Sequence, residues 1–257
     1  MTPPGSEIVD DPAVPAAHFA DAPAIHAYAL ADLEEPFWSA STWYRRDDGV
    51  VGIVSLPDGE GEAVYAVSTR DPAASLALLV DLLPRLRPGQ LVTGPVGLAN
   101  AVGAQRPLAW AGPHERYRLG SFRPVDTEAA EPLGLGDLPA LTSLYETEPG
   151  AAFFLPHMLA DNAFMGVRRE GGLVAAAGTH VLSERHGVAA IGAVYTHPAH
   201  RGIGLGRVTT AATVERIRGR VATVALNVAS TNATARRIYE GLGFEPVLTY
   251  EECELAG

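Results

Sequence analysis

The sequence predicts an α/β (α+β) protein, a mixed sheet flanked by helices, arranged as two similar halves in tandem. Three observations carry this expectation. Residues 188 to 212 read as a strand, a glycine-rich loop and a helix in direct succession. Val221 to Val228 is an almost unbroken β-branched and apolar run, the pattern of a strand covered on both faces. Each half repeats one order of elements, namely helix, strands, helix, strand, helix. The repeat lies in element order and not in residue identity.

In the first half, Ala24 to Leu33 reads as a helix, and Thr42 to Arg46, Val50 to Leu56 and Glu62 to Ser68 read as three short strands. Asp47-Asp48-Gly49 and Pro57-Asp58-Gly59 are turn chemistries, so an antiparallel meander is expected. Asp71-Pro72 opens a helix with proline in its first turn, and Leu76, Leu79, Val80 and Leu83 share one face before Pro84 and Pro88. A short strand at Leu91 to Thr93 and a small element at Val96 to Val102 follow.

The stretch from Arg123 to Pro139 is rich in proline and glycine and reads as the junction between a domain over 1–125 and a domain over 126–257. Beyond it, Asp137 can cap a helix running to Glu146. Strands are expected at Ala163 to Arg169, Leu173 to Leu182 and Val188 to Thr196. A helix then carries Leu205, Val208, Ala211 and Ala212 on one stripe. After the Val221 to Val228 strand, a helix from Asn232 to Glu240 presents Ala235, Ile238, Tyr239 and Leu242, and Phe244 to Glu252 is the last strand.

Composition removes several function classes. All 19 basic residues are arginine, which excludes Schiff-base chemistry and the phosphate-gripping lysine of a P-loop. A net charge of −11 opposes polyanionic partners, so neither nucleic acid nor an anionic membrane is expected as a partner. Cys253 is the single cysteine and reads as an incidental thiol, leaving no multi-thiolate metal site within one chain; no metal is expected. The first 25 residues are acidic and proline-punctuated, unlike a signal peptide, and no run approaches the roughly 20 apolar residues needed to span a bilayer. A cytoplasmic location is the expectation.

The chemistry concentrates in Arg201-Gly202-Ile203-Gly204-Leu205-Gly206, an Arg-x-x-Gly-x-Gly run that bridges a strand to a helix. Backbone N–H groups converge at such a helix start, where the helix dipole is positive, so a pyrophosphate can be held. A P-loop requires lysine, which is absent. A dinucleotide fingerprint requires glycine where Arg207 stands. A coenzyme A loop remains.

Here the sequence resembles a known family. Val194-Tyr195-Thr196-His197-Pro198-Ala199-His200 leading into the Arg201 to Gly206 run is similar to the central motif of the GNAT superfamily of N-acyltransferases. Leu226-x-Val228, then Asn232, Ala235, Tyr239-Glu240 and Gly243-Phe244, resembles that superfamily's next strand, loop and helix. The likeness is firm over residues 186 to 250 and faint over 1 to 122. It implies acetyl-CoA as co-substrate and a small-molecule or peptide amine as acceptor, and it permits a homodimer. Residue by residue, it implies that main-chain groups of Val194, Tyr195 and Thr196 pair with the pantetheine arm. Arg201, Gly202, Ile203, Gly204, Leu205, Gly206 and Arg207 would hold the pyrophosphate, with Asn232 and Ala235 at the cofactor. Tyr239 would be the general acid for the leaving thiolate.

The sequence departs from the family where many members carry a basic glutamate. Val188 to Ala193 contains no titratable group. Substitutes are His180, His197 or a water held by main-chain carbonyls, while Glu146 and Glu148 could attract an ammonium. The first half lacks the glycine loop, and its Ala66 to Pro72 segment stands in the matching place. This arrangement resembles the glycine N-acyltransferase-like branch, with a first half that does not bind cofactor. A coenzyme A-binding regulatory protein without transfer is the second reading.

Overall fold

The structure of the protein is a computed structural model that describes residues 2–56, 61–161 and 163–257. The turn expected at Pro57-Asp58-Gly59 lies outside the described residues. The chain forms two compact units. One holds Met1–Arg116, Ala229–Thr231 and Val247–Gly257, and the other holds Tyr117–Val228 and Asn232–Pro246. This division differs from the expected boundary at residue 125, because the last strand returns to the first unit.

The first unit contains β1 (Glu7–Val9), α1 (Ala13–Phe19), α2 (Ala27–Ala31), α3 (Phe37–Ala40), β2 (Ser41–Arg46), β3 (Gly49–Ser55), β4 (Glu62–Tyr65), α4 (Pro72–Leu82), β5 (Leu91–Gly94) and α5 (Leu98–Gly103). Strand β6 (Leu108–Leu119) begins in this unit, and β12 (Phe244–Leu255) ends in it. Its strand order is β1-β2-β3-β4-β5-β12. The expected meander is present, since β2, β3 and β4 pair antiparallel. Strand β5 joins β4 in parallel, which requires the crossover that α4 supplies.

The expected helix over 24–33 shrinks to the five residues of α2. Helix α1 was hidden by Pro12 and Pro15, which read as punctuation although proline is tolerated in a first helical turn. In α4 the carboxylate of Asp71 accepts from Ala74 N at 2.9 Å, so the first turn is capped by its own acid. The buried face of α4 is Ser75, Leu78, Leu79 and Leu82, rotated from the expected stripe because the Ser75 hydroxyl turns inward to accept the Val50 N–H at 3.1 Å. These leucines pack with Val51, Val64, Val92 and Cys253. Burial pushes the Cys253 thiol up to about 11, as suits an inert core cysteine.

A second, polar cluster lies beside this core. The Arg116 side chain is buried, donates to the Ile25 carbonyl and stacks between the Tyr28 and Tyr250 rings at 5.3 and 5.1 Å. His26 is fully buried, with Nδ1 2.8 Å from the Tyr65 hydroxyl and Nε2 3.1 Å from Thr69 Oγ1. Burial, helped by the Arg116 charge, lowers its pKa to about 3. The unfolded chain therefore binds a proton below about pH 6.5 that the folded chain refuses. The His26 contribution is complete above that pH and is lost as pH falls toward 3, by about 3 kcal/mol at pH 4. Asp32, raised by burial to about 7, acts in the opposite sense over its own window. Thermal midpoints measured from pH 7 to 4 should fall less steeply in His26→Gln than in the parent protein, and parallel curves would refute the assignment.

The second unit contains β7 (Glu131–Leu133), α6 (Leu138–Glu146), α7 (His157–Asp161), β8 (Phe164–Arg169), β9 (Gly172–Ser183), β10 (Val188–Thr196), α8 (Leu205–Ile217), β11 (Thr223–Ala229) and α9 (Ala233–Leu242). Its strand order is β7-β8-β9-β10-β11, antiparallel from β7 to β10. The proline-rich stretch expected as a junction carries β7 at the edge of this order, where Pro132 is admissible. Asp137 stands at the start of α6 but does not cap it. Its carboxylate accepts from Gly134 N at 2.9 Å and pairs with Arg168 at 2.5 Å.

Helix α8 packs on β8, β9 and β10, and the core joins Ala189 and Ile191 of β10, Ala211, Val214 and Ile217 of α8, Val224, Leu226 and Val228 of β11, and Tyr239 and Leu242 of α9. Among the described residues, no helix is long and apolar enough to cross a membrane, and no group of three or more His, Cys, Asp or Glu could hold a metal ion.

Candidate functional site

Strands β10 and β11 are parallel neighbours that part company halfway. Their register runs from Val188↔Thr223 to Ile191↔Leu226 and stops there, although both strands continue. At the parting, β10 bulges. Its register to β9 shifts between Gly192 and Tyr195, and Ala193 takes a left-handed φ of 50°. The bulge reverses the alternation of side chains. Ala189 and Ile191 face the core before it, and Val194 packs against that same core after it, so Tyr195 faces α6. Beyond the parting on β11, the Oδ1 of Asn227 is buried with no hydrogen-bond partner among the described residues. No sequence motif pointed to Asn227.

From β10 the chain passes through Arg201 to Gly204 into α8. Gly202 and Gly204 adopt φ of 83° and 86°, a region L side chains rarely enter. Gly204 is the N-cap residue of this 13-residue helix and contributes no side-chain cap; its carbonyl accepts from Arg207 N and Val208 N at 3.0 and 3.1 Å, which leaves Leu205 and Gly206 N–H without a main-chain acceptor among the described residues. Gly202, Ile203 and Gly204 are exposed, while Leu205 anchors the helix start against Val167, Val174 and Ala175. Arg207 is exposed and donates to the Gly241 carbonyl at 3.4 Å.

Arg201 is directed differently from the expectation. Its guanidinium pairs with Glu148, donates from Nε to the Thr196 carbonyl at 3.0 Å and lies 5.6 Å from the centre of the Tyr195 ring. The Tyr195 hydroxyl meets Thr147 Oγ1 at 2.8 Å and Glu148 at 3.3 Å. The Arg201 hydrogen bond holds the Glu148 carboxyl below its ordinary pKa. Glu148, expected near an acceptor, is thus engaged by a residue expected at the pyrophosphate.

Asn232 caps α9, its Oδ1 accepting from Ala235 N at 3.1 Å, and its amide nitrogen keeps two donors. Ala235 and Ile238 pack with Val194 and Tyr239. Tyr239 is 7% exposed, and its hydroxyl makes no hydrogen bond to another described residue. Burial pushes its pKa up to about 12, so the phenol stays protonated at neutral pH. The residues expected from both motifs, Val194, Ala235 and Tyr239, therefore meet in one wedge beside the α8 start.

The histidines named as substitute bases have other duties. Burial lowers His180 to about 4, too low for efficient proton abstraction near neutral pH. The Nδ1 of His197 accepts from Ala199 N at 3.2 Å.

Comparison with known proteins bears on the fold. The family described as FR47-like protein matches residues 164–253. A Drosophila protein of known structure aligns over 98% of this chain and 98% of its own, at 16% identity and a TM-score of 0.69. A GCN5-related N-acetyltransferase from Sphaerobacter thermophilus aligns over 98% and 96%, at 16% identity and a TM-score of 0.61. A tandem GNAT protein from the clavulanic acid biosynthesis pathway aligns over 98% and 99%, at 17% identity and a TM-score of 0.55. No curated protein matches. The chain has the fold of GNAT-family N-acetyltransferases, a mixed α/β architecture with a tandem GNAT protein among its structural neighbours.

Proposed function

We propose that the protein is an N-acyltransferase that moves an acetyl group from coenzyme A to a primary amine of a small molecule or a peptide N-terminus. The observation that supports this most directly is the uncapped start of α8, with left-handed Gly202 and Gly204, standing at the end of a strand that has parted from its neighbour. The residues present fit the cofactor. The loop offers N–H donors to a pyrophosphate, the β10 main chain beyond Ile191 has no β11 partner, and Asn227 Oδ1 is an unsatisfied acceptor at the parting.

Acetyl-CoA, when bound, supplies an activated acyl thioester. The Gly202 to Arg207 loop would hold its phosphates, and Val194, Tyr195 and Thr196 would hold its pantetheine arm, with Asn232 and Ala235 beside it. Tyr239 would donate a proton to the departing sulfur. Burial pushes the phenol up to about 12, so it would carry its proton at neutral pH. The acceptor amine reaches the α6 side of β10, where Glu148 supplies negative charge once Arg201 turns to the phosphates.

The first unit serves as a degenerate relative of the second that does not bind cofactor. In both units a parallel strand pair is joined through a helix, but the carboxylate of Asp71 occupies the start of α4, where the start of α8 is open. The glycine N-acyltransferase-like branch fits this arrangement. A coenzyme A-binding regulator without transfer is the second reading, favoured by the absence of any titratable group over Val188 to Ala193. The test is isothermal titration with acetyl-CoA, with NADH as control. Micromolar, selective binding of acetyl-CoA is expected, and no binding would remove both readings.

A further inference from the structure

Resting on the cofactor reading above, we propose that Tyr145 and His180 are positioning residues that lock the Ala193 bulge and so set the β10 main chain that receives the pantetheine arm. Neither residue belongs to a motif of the sequence.

Both backbone groups of Ala193 are gripped by side chains. The Tyr145 hydroxyl donates to the Ala193 carbonyl at 2.6 Å, and the Ala193 N–H donates to His180 Nε2 at 3.0 Å. His180 Nε2 is also 3.0 Å from the Phe153 carbonyl. A neutral ring nitrogen cannot serve both, and an orphaned N–H is rarer than an under-used carbonyl, so Nε2 accepts from Ala193. The ring is held from the other side as well, because a Cβ at Gly192 would lie 2.2 Å from it and only glycine leaves it room. Tyr145 is fixed in turn by stacking on Phe154, with ring centres 5.1 Å apart.

The clamp has a definite consequence. A non-glycine residue at φ 50° is strained and persists only when its surroundings over-determine it. Relaxing Ala193 to extended geometry restores ordinary alternation and exchanges the faces of Val194 and Tyr195. The N–H and C=O groups of residues 194–196 then turn away from the parting. Tyr145 and His180 therefore act on binding of the pantetheine arm and leave the phosphate loop alone.

The experiment titrates the full chain with two probes, coenzyme A and adenosine 3′-phosphate 5′-diphosphate, which carries the same phosphates without the arm. Tyr145→Phe and His180→Ala are each expected to weaken coenzyme A binding roughly tenfold while leaving the nucleotide unaffected. His180→Gln, whose Oε1 can accept from Ala193 N, should restore most of the loss. Unchanged coenzyme A affinity in both variants overturns the proposal, as does an equal loss for both probes, which would indicate general structural damage. Failure of the parent protein to bind either probe would instead overturn the cofactor reading itself.

Discussion

Gly206→Val should reduce acetyl-CoA affinity on the order of a hundredfold, corresponding to the loss of about two charge-assisted contacts, while the thermal midpoint barely moves. Gly206 has an ordinary φ, and a Cβ there would meet Thr196 Oγ1 at 3.5 Å and the Ile238 side chain at 3.8 Å, both normal contacts. The added isopropyl group projects between the end of β10 and α9, where the proposed cofactor would enter. Gly204 is the more obvious target but the poorer probe. At φ 86° a valine adds about 1–2 kcal/mol of backbone strain, so lost binding could reflect a damaged helix start. Titration of Gly206→Val alongside its melting curve checks the expectation, and retained affinity in a folded variant would displace the pyrophosphate from this loop.

The second large effect is kinetic. Tyr239→Phe should lower kcat about a hundredfold, within the range for a general acid, and leave acetyl-CoA affinity unchanged. The ring packs against Phe244 with centres 6.1 Å apart, and the hydroxyl has no described partner whose loss would disturb the fold. The measurement is turnover across an amine panel together with titration. Unaltered turnover removes the acid role, and tight acetyl-CoA binding without turnover in the parent protein favours the regulatory reading.

The glycine-rich turn into α8 was legible because its backbone requirement is local. A left-handed turn into a helix strongly favours glycine, so Gly202 and Gly204 suit it by residue type. Asn232 was placed at a helix start without being read as its cap, the role its Oδ1 takes by accepting from Ala235 N. Strand β6 went unread because its Leu108 to Leu119 stretch buries only Arg116 and Tyr117, and Arg116 is buried against its type. The pairing of Arg201 with Glu148 went unread because the two lie 53 positions apart and no motif encodes it. Tyr145 was missed for the same reason, since its meaning depends on a bulge that neither its neighbours nor its period reveals.

The capping of α4 by Asp71 carries a further implication. The carboxylate is a covalently tethered anion that already occupies the place where α8 would receive a diffusible one, so the α4 dipole is neutralised from within. Inserting glycines into the Ala66 to Arg70 stretch would not create a second nucleotide cradle while that acid remains. Removing it would cost the helix about 1 kcal/mol. In the first unit, the feature that stabilises the helix is the one that forecloses its use, so regaining a site there would mean surrendering stability before any ligand could repay it.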